Sequence, residues 1–243
     1  MSIRILHLFP DLMNLYGDYA NLSILTRYME LEGCPCEVTS SDTPVDPAGF
    51  DLVFIGCGTE RSSLRALELL LPFREAFSGY VSVGGLLLLT GTAYEIFCRT
   101  VRDGGPDGSV LDGLGLIPAD VSRRRDKRFL GDVIYSFGEK EKNIIGFVNK
   151  CSQTDLDGSP LFRTGSEQGN TLTSGSEGYL SGGIVATGLT GPVLVKNPDL
   201  CRWLLDRLYE KAGTAPSRRD DMAVQRRAFD AAYRELLQLK QKM

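Results

Sequence analysis

The chain holds one histidine, His7, in 243 residues. A zinc centre needs well-spaced Cys, His or carboxylate ligands, and with one imidazole no such set assembles. The six cysteines (34, 36, 57, 98, 151 and 201) include no CxxC pair; the "CPC" at Cys34 to Cys36 has the wrong spacing. They are expected to be reduced thiols, and no metal or other cofactor is expected. No run nears the eighteen apolar residues of a membrane span, and "IRILHLF" enters a strand with no leader pattern, so a cytoplasmic protein is expected. With 27 basic against 31 acidic residues the net charge is -4, which argues against nucleic acid or an anionic membrane as main partner. "RRRDKR", Arg123 to Arg128, is the local exception and reads as a solvated loop. "GTERSS" ahead of a helix lacks the lysine and spacing of a phosphate-binding loop.

What is present is an alternation of strands and helices. Ile3 to Phe9, "PCEVTSS", "DLVFIGCG" and "YVSVGGLLLLTG" read as strands, several of them apolar on both faces. Between them lie a helix ended by Gly33 and another over "SSLRALELLLPFREAF". This pattern predicts an α/β fold, a mainly parallel sheet with helices on both faces. The shorter β-type segments "DVIYSFG", "NIIGFVN", "TLTSG" and "GYLSGGIVATGL" are expected to fold back onto that sheet. "GSEQGN" and "SGSEG" predict hairpin turns. Two amphipathic helices follow, "DLCRWLLDRLYEKAG" and one with Met222, Phe229, Tyr233 and Leu236 or Leu237 on one face. The expected organisation is an α/β domain over 1–213 and a C-terminal helical extension over 214–243.

"LLLLTGTAYEIF" is a buried strand, a tight turn and a helix start, the geometry that exposes a nucleophile at the top of an α/β sheet. Yet the turn Thr90-Gly91-Thr92 holds neither Ser nor Cys.

Five stretches, in order, resemble class I glutamine amidotransferases of the CobB/CobQ type, nearest to the GatD-type subunits of lipid II isoglutaminyl synthase. They are "FPDLMNLYGDYAN" (Phe9 to Asn21), "GCGTE" (Gly56 to Glu60), "LLLLTGTAYEIF", "IIGFVNKCSQT" (Ile144 to Thr154) and "ATGLTGPVLVKNPDL" (Ala186 to Leu200). The last two are similar to that family's "GFENHxGRT" and "GTYLHGPLLPKNP". The "GxGN…EG" pattern is met by Gly165 to Asn170 and Ser174 to Gly178. The resemblance covers about residues 3 to 205 and implies a flavodoxin-like sheet. It also implies glutamine hydrolysis by a Cys–His pair with backbone donors at the oxyanion. The ammonia would go to a Mur-ligase-like synthetase subunit, in GatD systems MurT.

The resemblance fails at the chemistry. It places Gly91 at the nucleophile, or Thr90 or Thr92 with a shift of one residue but never Cys, Thr190 at the base, and Val148-Asn149-Lys150 at "ENH". Glycine has no nucleophile, and a threonine hydroxyl does not titrate near neutrality. Gly56, Cys57, Gly58, Thr92 and Asn149 remain as the positions that would line a site for a glutamine-like small molecule. The expected function is a catalytically degenerate amidotransferase-like subunit that binds a Mur-ligase-like partner in peptidoglycan-precursor amidation. Two other readings stay open. One is an active hydrolase with displaced chemistry, using Cys57 with His7 or the carboxylates Asp11, Asp18, Glu60 and Glu95. The other is a small-molecule sensor that keeps the pocket.

Overall fold

The structure is a computed structural model that describes residues 2–104, 108–124, 126–165 and 168–242. Arg125 of the "RRRDKR" run and Ser166-Glu167 of "GSEQGN" lie outside the described residues.

The first half alternates β1 (Ile3–Leu8), α1 (Ala20–Leu31), β2 (Cys36–Ser41), β3 (Leu52–Ile55), α2 (Glu60–Leu70), α3 (Arg74–Ser82), β4 (Leu86–Thr90) and α4 (Thr92–Ile96). Then come β5 (Cys98–Asp103), β6 (Ser109–Asp112), β7 (Ile117–Arg123), β8 (Phe129–Phe137), β9 (Lys142–Lys150) and β10 (Ser152–Leu156). Short strands β11 (Phe162–Arg163), β12 (Ser176–Glu177) and β13 (Tyr179–Ser181) lead to β14 (Ile184–Thr187). The chain closes with α5 (Val193–Lys196), α6 (Pro198–Lys211) and α7 (Ala223–Gln241).

The main sheet has six strands in the order β13-β14-β4-β3-β1-β2, all parallel except β13. The strand order reverses around β1 and β3, where open α/β sheets collect ligands beyond their C-terminal ends. The runs Leu52–Ile55 and Leu86–Leu89 are buried on both faces, as their unbroken apolar character requires. One face packs Ile3, Ile5, Phe54 and Leu88 against α1 and α6. The other packs Leu6, Leu8, Val53 and Leu87 against Leu67 and Leu70 of α2 and Phe77 of α3. Each such aliphatic side chain contributes about 2 kcal/mol by leaving water.

Two local expectations are corrected. The helix read across "SSLRALELLLPFREAF" breaks into α2 and α3 at a single 3₁₀ turn, Leu71–Phe73. Pro72 supplies no N–H to α2, but as the second residue of a turn its missing donor costs nothing. Tyr80, Val81 and Ser82, read as strand, belong to α3, because the strand starts only after the Gly84-Gly85 stop. The segments after α4 also differ from expectation. Only β13 and β14 join the main sheet; the rest form two four-stranded sheets, β10-β7-β5-β6 and β12-β11-β8-β9. Residues 171–175, within the stretch read as a strand over "TLTSG", hold no strand.

Candidate functional site

Three loops meet at the C-terminal end of the main sheet. The loop after β3, Gly56 to Thr59, faces the elbow between β4 and α4, and the loop after β14, Gly188 to Gly191, lies beside both. Gly91 has φ 56° and ψ -127°, backbone space essentially reserved for glycine. Its N–H donates to Leu189 O at 3.1 Å, which brings the Thr190 loop against the elbow. Gly91 and Thr190, far apart in sequence, are thus neighbours in space.

Neither offers chemistry. Thr190 spends both its N–H (2.9 Å) and its hydroxyl (3.1 Å) on Phe147 O, an isolated bridge to β9. Gly91 has no side chain, and the space one would fill is taken: an added Cβ would meet the Cys57 sulfur at 2.3 Å. A thiol does stand at the elbow, but it comes from the opposite loop. Cys57 is 2 % exposed. Burial pushes its thiol up to about 12, only partly offset by the Thr92 N–H aimed at the sulfur, and the charges of Asp18 and Glu95 add to the rise. A thiol held so far above neutrality is a poor nucleophile.

The backbone donors that would hold an oxyanion are also engaged. Cys57 N–H donates to Asp18 Oδ2 at 2.7 Å. Gly58 N–H donates to Thr92 Oγ1 at 3.0 Å, and the Thr92 hydroxyl donates back to Gly58 O at 3.0 Å. Thr92 N–H points at the Cys57 sulfur. Oxyanion stabilisation needs donors preorganised and free to receive developing charge, and here each has a fixed internal acceptor.

The remaining candidates separate. His7 lies on β1 against the Phe54 ring, centroids 5.2 Å apart, and its Nε2 has no hydrogen-bond partner among the described residues. Burial lowers its pKa, with Asp42 opposing. No hydrogen bond among the described residues links it to Cys57, so the structure shows no thiol–imidazole pair. Asp11 is exposed, with its N–H on Asp42. Asp18 is fully buried and bridges Cys57 N–H, the Thr90 hydroxyl and Asn21. Glu60 pairs with Arg128 at the surface. Asn149, from the "ENH" segment, joins the Tyr16 hydroxyl to Arg128. Lys150 is buried instead, donating to Gly169 O at 2.7 Å.

Glu95 makes a buried ion pair. Arg123 Nε donates to its Oε2 at 2.7 Å and Ser152 Oγ to its Oε1 at 2.6 Å, while Arg123 Nη2 reaches Ser63 at 2.8 Å. Arg123 is therefore no part of a solvated basic loop: it is 0 % exposed. The signal was in the strand, where Ile117, Ala119, Val121 and Arg123 alternate inward along β7. Cys151 is buried with its thiol near Glu60. A further buried carboxylate, Glu177, lies in a stretch whose sequence signals only a turn. It accepts from Thr187 Oγ1 (2.7 Å) and Gly188 N–H (2.6 Å) and so fixes the loop that carries Thr190.

An open cleft of about 450 Å³ lies at the N-terminal end of α2, lined by Thr59, Glu60, Leu64, Arg128 and Cys151 among others. Its lining does not include Gly91, Thr92 or Thr190. Among the described residues no group of His, Cys, Asp or Glu could hold a metal ion, and no helix is long and apolar enough to cross a membrane.

This six-stranded sheet, with its elbow after β4 and its facing loops after β3 and β14, is the fold of class I glutamine amidotransferases. A solved glutamine amidotransferase superposes with a TM-score of 0.54 at 18% identity, over 88% of this chain and all of that one. In sequence the chain is similar to GatD subunits. It is 27% identical over 221 residues to the GatD subunit of lipid II isoglutaminyl synthase (glutamine-hydrolyzing) of Staphylococcus aureus strain N315, covering 87% of this chain and 86% of the relative. The same subunit of Streptococcus pneumoniae strain ATCC BAA-255 / R6 is 24% identical over 214 residues, 86% of this chain and 82% of the relative. No family model matches the chain.

Proposed function

We propose that this chain is a catalytically degenerate amidotransferase-like subunit, acting in the cytoplasm by binding a Mur-ligase-like synthetase subunit in the amidation of a peptidoglycan precursor. One observation carries the degeneracy: the elbow keeps a nucleophile-type backbone at Gly91, and the Cys57 side chain fills the space a nucleophile would need. The engaged Cys57, Gly58 and Thr92 N–H groups support the same reading. A pathway role is supported by relatives that are named as subunits of a synthase and that align over most of their length.

The test is ammonia release from glutamine by the purified chain, alone and with a candidate Mur-ligase-like partner. We expect none in either case, together with a stable complex on size-exclusion chromatography. Ammonia release that disappears in Cys57→Ala overturns the degenerate reading in favour of displaced thiol chemistry. The cleft at the start of α2, with Arg128 and Glu60 in its lining, favours one second reading, a binding role for a glutamine-like small molecule. Saturable heat on titration with glutamine, abolished in Arg128→Ala, would support it.

A further inference from the structure

The segment between β1 and α1 crosses the loop after β3 at backbone contact. Leu15 N–H donates to Cys57 O at 2.7 Å, and Asp18 takes Cys57 N–H from the other side. The approach is close enough that a side chain at Gly56 would strike backbone and one at Gly58 would displace the Met13 side chain. A Cβ at Gly56 would meet Met13 O at 2.5 Å, and one at Gly58 would meet Met13 Sδ at 2.4 Å. On the outside, the exposed Tyr16 hydroxyl accepts from Asn149 Nδ2, and Asn149 Oδ1 accepts from Arg128 at 2.8 Å. Arg128 then pairs with Glu60 next to the covered loop.

This segment is strained. Phe9 ahead of it (φ 59°) and Tyr16 within it (φ 63°) are non-glycine residues in left-handed backbone. Such conformations are unfavourable for L-residues and persist only where surrounding contacts hold them. Phe9 is fully buried, whereas Tyr16 is held at the surface by the Asn149 contact.

We propose that Leu12–Asp18 is a lid over the elbow, pinned inside by Asp18 and latched outside by Tyr16, and that its opening governs access to the Cys57 thiol. The inference concerns regulation of the proposed site and rests on reading that elbow as closed and non-hydrolysing.

The pin gives the lid a pH bias. The groups that contact Asp18 among the described residues are neutral: the Thr90 hydroxyl from β4, the Asn21 amide from α1, and the N–H and thiol of Cys57 from the loop after β3. The charged group beyond them, Glu95 on α4, acts on the Cys57 thiol. Burial raises Asp18 to about 6, against the three hydrogen bonds that favour its ionised form. The closed lid therefore holds a proton more tightly than an open one, whose hydrated carboxyl returns to its ordinary value of 3.8. Opening becomes easier as pH rises through about 6, by roughly tenfold between about pH 5 and 8 if the full difference is expressed.

The test is site-resolved alkylation of the full chain by iodoacetamide, read by mass spectrometry. Each rate is divided by that of the same cysteine in the urea-unfolded chain at the same pH, which removes the thiol's own titration. Cys98, fully buried in the core, reports global unfolding in the same sample. We expect Cys57 to react faster than Cys98, with a relative rate that rises roughly tenfold from about pH 5 to 8. Tyr16→Phe, which removes the latch hydroxyl, should raise the Cys57 rate about fivefold at all pH values. Asp18→Asn should flatten the pH dependence; should that variant not fold, the wild-type series and Tyr16→Phe decide. Equal protection of Cys57 and Cys98, unmoved by pH and by Tyr16→Phe, would overturn the lid. Ammonia release assayed in parallel and lost on Cys57 alkylation would overturn the non-hydrolysing reading while leaving the lid in place.

Discussion

Gly91 and Cys57 are a size-matched pair: an added Cβ on the glycine would lie 2.3 Å from the cysteine sulfur and 2.6 Å from its Cβ. Restoring a side chain at the elbow therefore collides with a filled site. Gly91→Ala is expected to cost about 2–4 kcal/mol, from overpacking and from φ 56° at a non-glycine residue. Cys57→Gly in the same chain should recover the overpacking part, giving a coupling of at least about 1 kcal/mol in a double-mutant cycle by urea unfolding. Additive single-mutant effects would show that the two side-chain volumes do not compete.

Glu95, on α4 just past the elbow, has the fully buried Arg123 as its partner. Glu95→Gln keeps the shape of the side chain yet leaves a buried guanidinium without its counter-charge. The expected loss is about 3–5 kcal/mol, because breaking one side of a buried pair leaves the other uncompensated. Replacing both residues with methionine should cost less than Glu95→Gln alone. Thermal unfolding of the three proteins checks this ordering. A neutral Glu95→Gln would instead return Glu95 to the list of groups free for chemistry.

How much of this could be read from the sequence depends on the distance over which each feature is decided. The apolar runs of β3 and β4 announce buried parallel strands by themselves, and the order of the motifs brings Gly91 and Thr190 together. Arg123 was legible in the inward alternation of β7. The two smaller sheets were not. β6 is exposed along its whole length, and β5 pairs parallel with β7 and antiparallel with β6, a choice made by partners and not by local pattern. The Cys57 plug was hidden for the same reason. It depends on a van der Waals contact between loops 34 residues apart, and a lone cysteine in a glycine-rich loop carries no sign of what it touches.

Two fully buried carboxylates shift in opposite directions. Burial pushes both up. At Glu32 the Arg202 guanidinium, the Tyr209 hydroxyl and Asp220 N–H outweigh it and hold the carboxyl below its ordinary value. Asp18 has only neutral donors and rises to about 6. The contribution of Glu32 to stability is therefore present above pH 4.5 and lost as pH falls through its depressed pKa. That of Asp18 is fully present below 3.8 and lost as pH rises through about 6, a change on the order of 3 kcal/mol. In urea unfolding across pH 3 to 8, Asp18→Asn should flatten the curve between about 4 and 6, and Glu32→Gln should flatten it only in acid. A wild-type stability that climbs steadily from pH 4 to 7 would count against the assignment of Asp18.

Glu32 also determines what the C-terminal tail does. Its carboxylate takes Asp220 N–H at 2.7 Å, and its carbonyl accepts both the N–H and the hydroxyl of Ser217 at 2.9 Å. Met222 is 1 % exposed, and Gln225 Nε2 donates to Leu194 O (2.6 Å) and Val195 O (2.9 Å). Beyond these anchors α7 is mostly half-buried or exposed, with Leu237 and Leu239 facing water. We propose that the stretch from Ser217 to Gln225 is a strap that closes the face formed by α1 and α5, and that only the distal turns of α7 are separable. Ending the chain after Gly213 should then cost about 3–5 kcal/mol, from the lost burial of Met222 and the lost hydrogen bonds, and should lower soluble yield. Ending it after Tyr233 keeps every anchor and should change stability by less than about 1 kcal/mol. Unfolding midpoints and molecular mass for the two truncations decide the matter. Equal stability of both with the full chain would make the whole of 214–243 an independent appendage, and a fall in mass after Tyr233 would assign the distal turns to self-association.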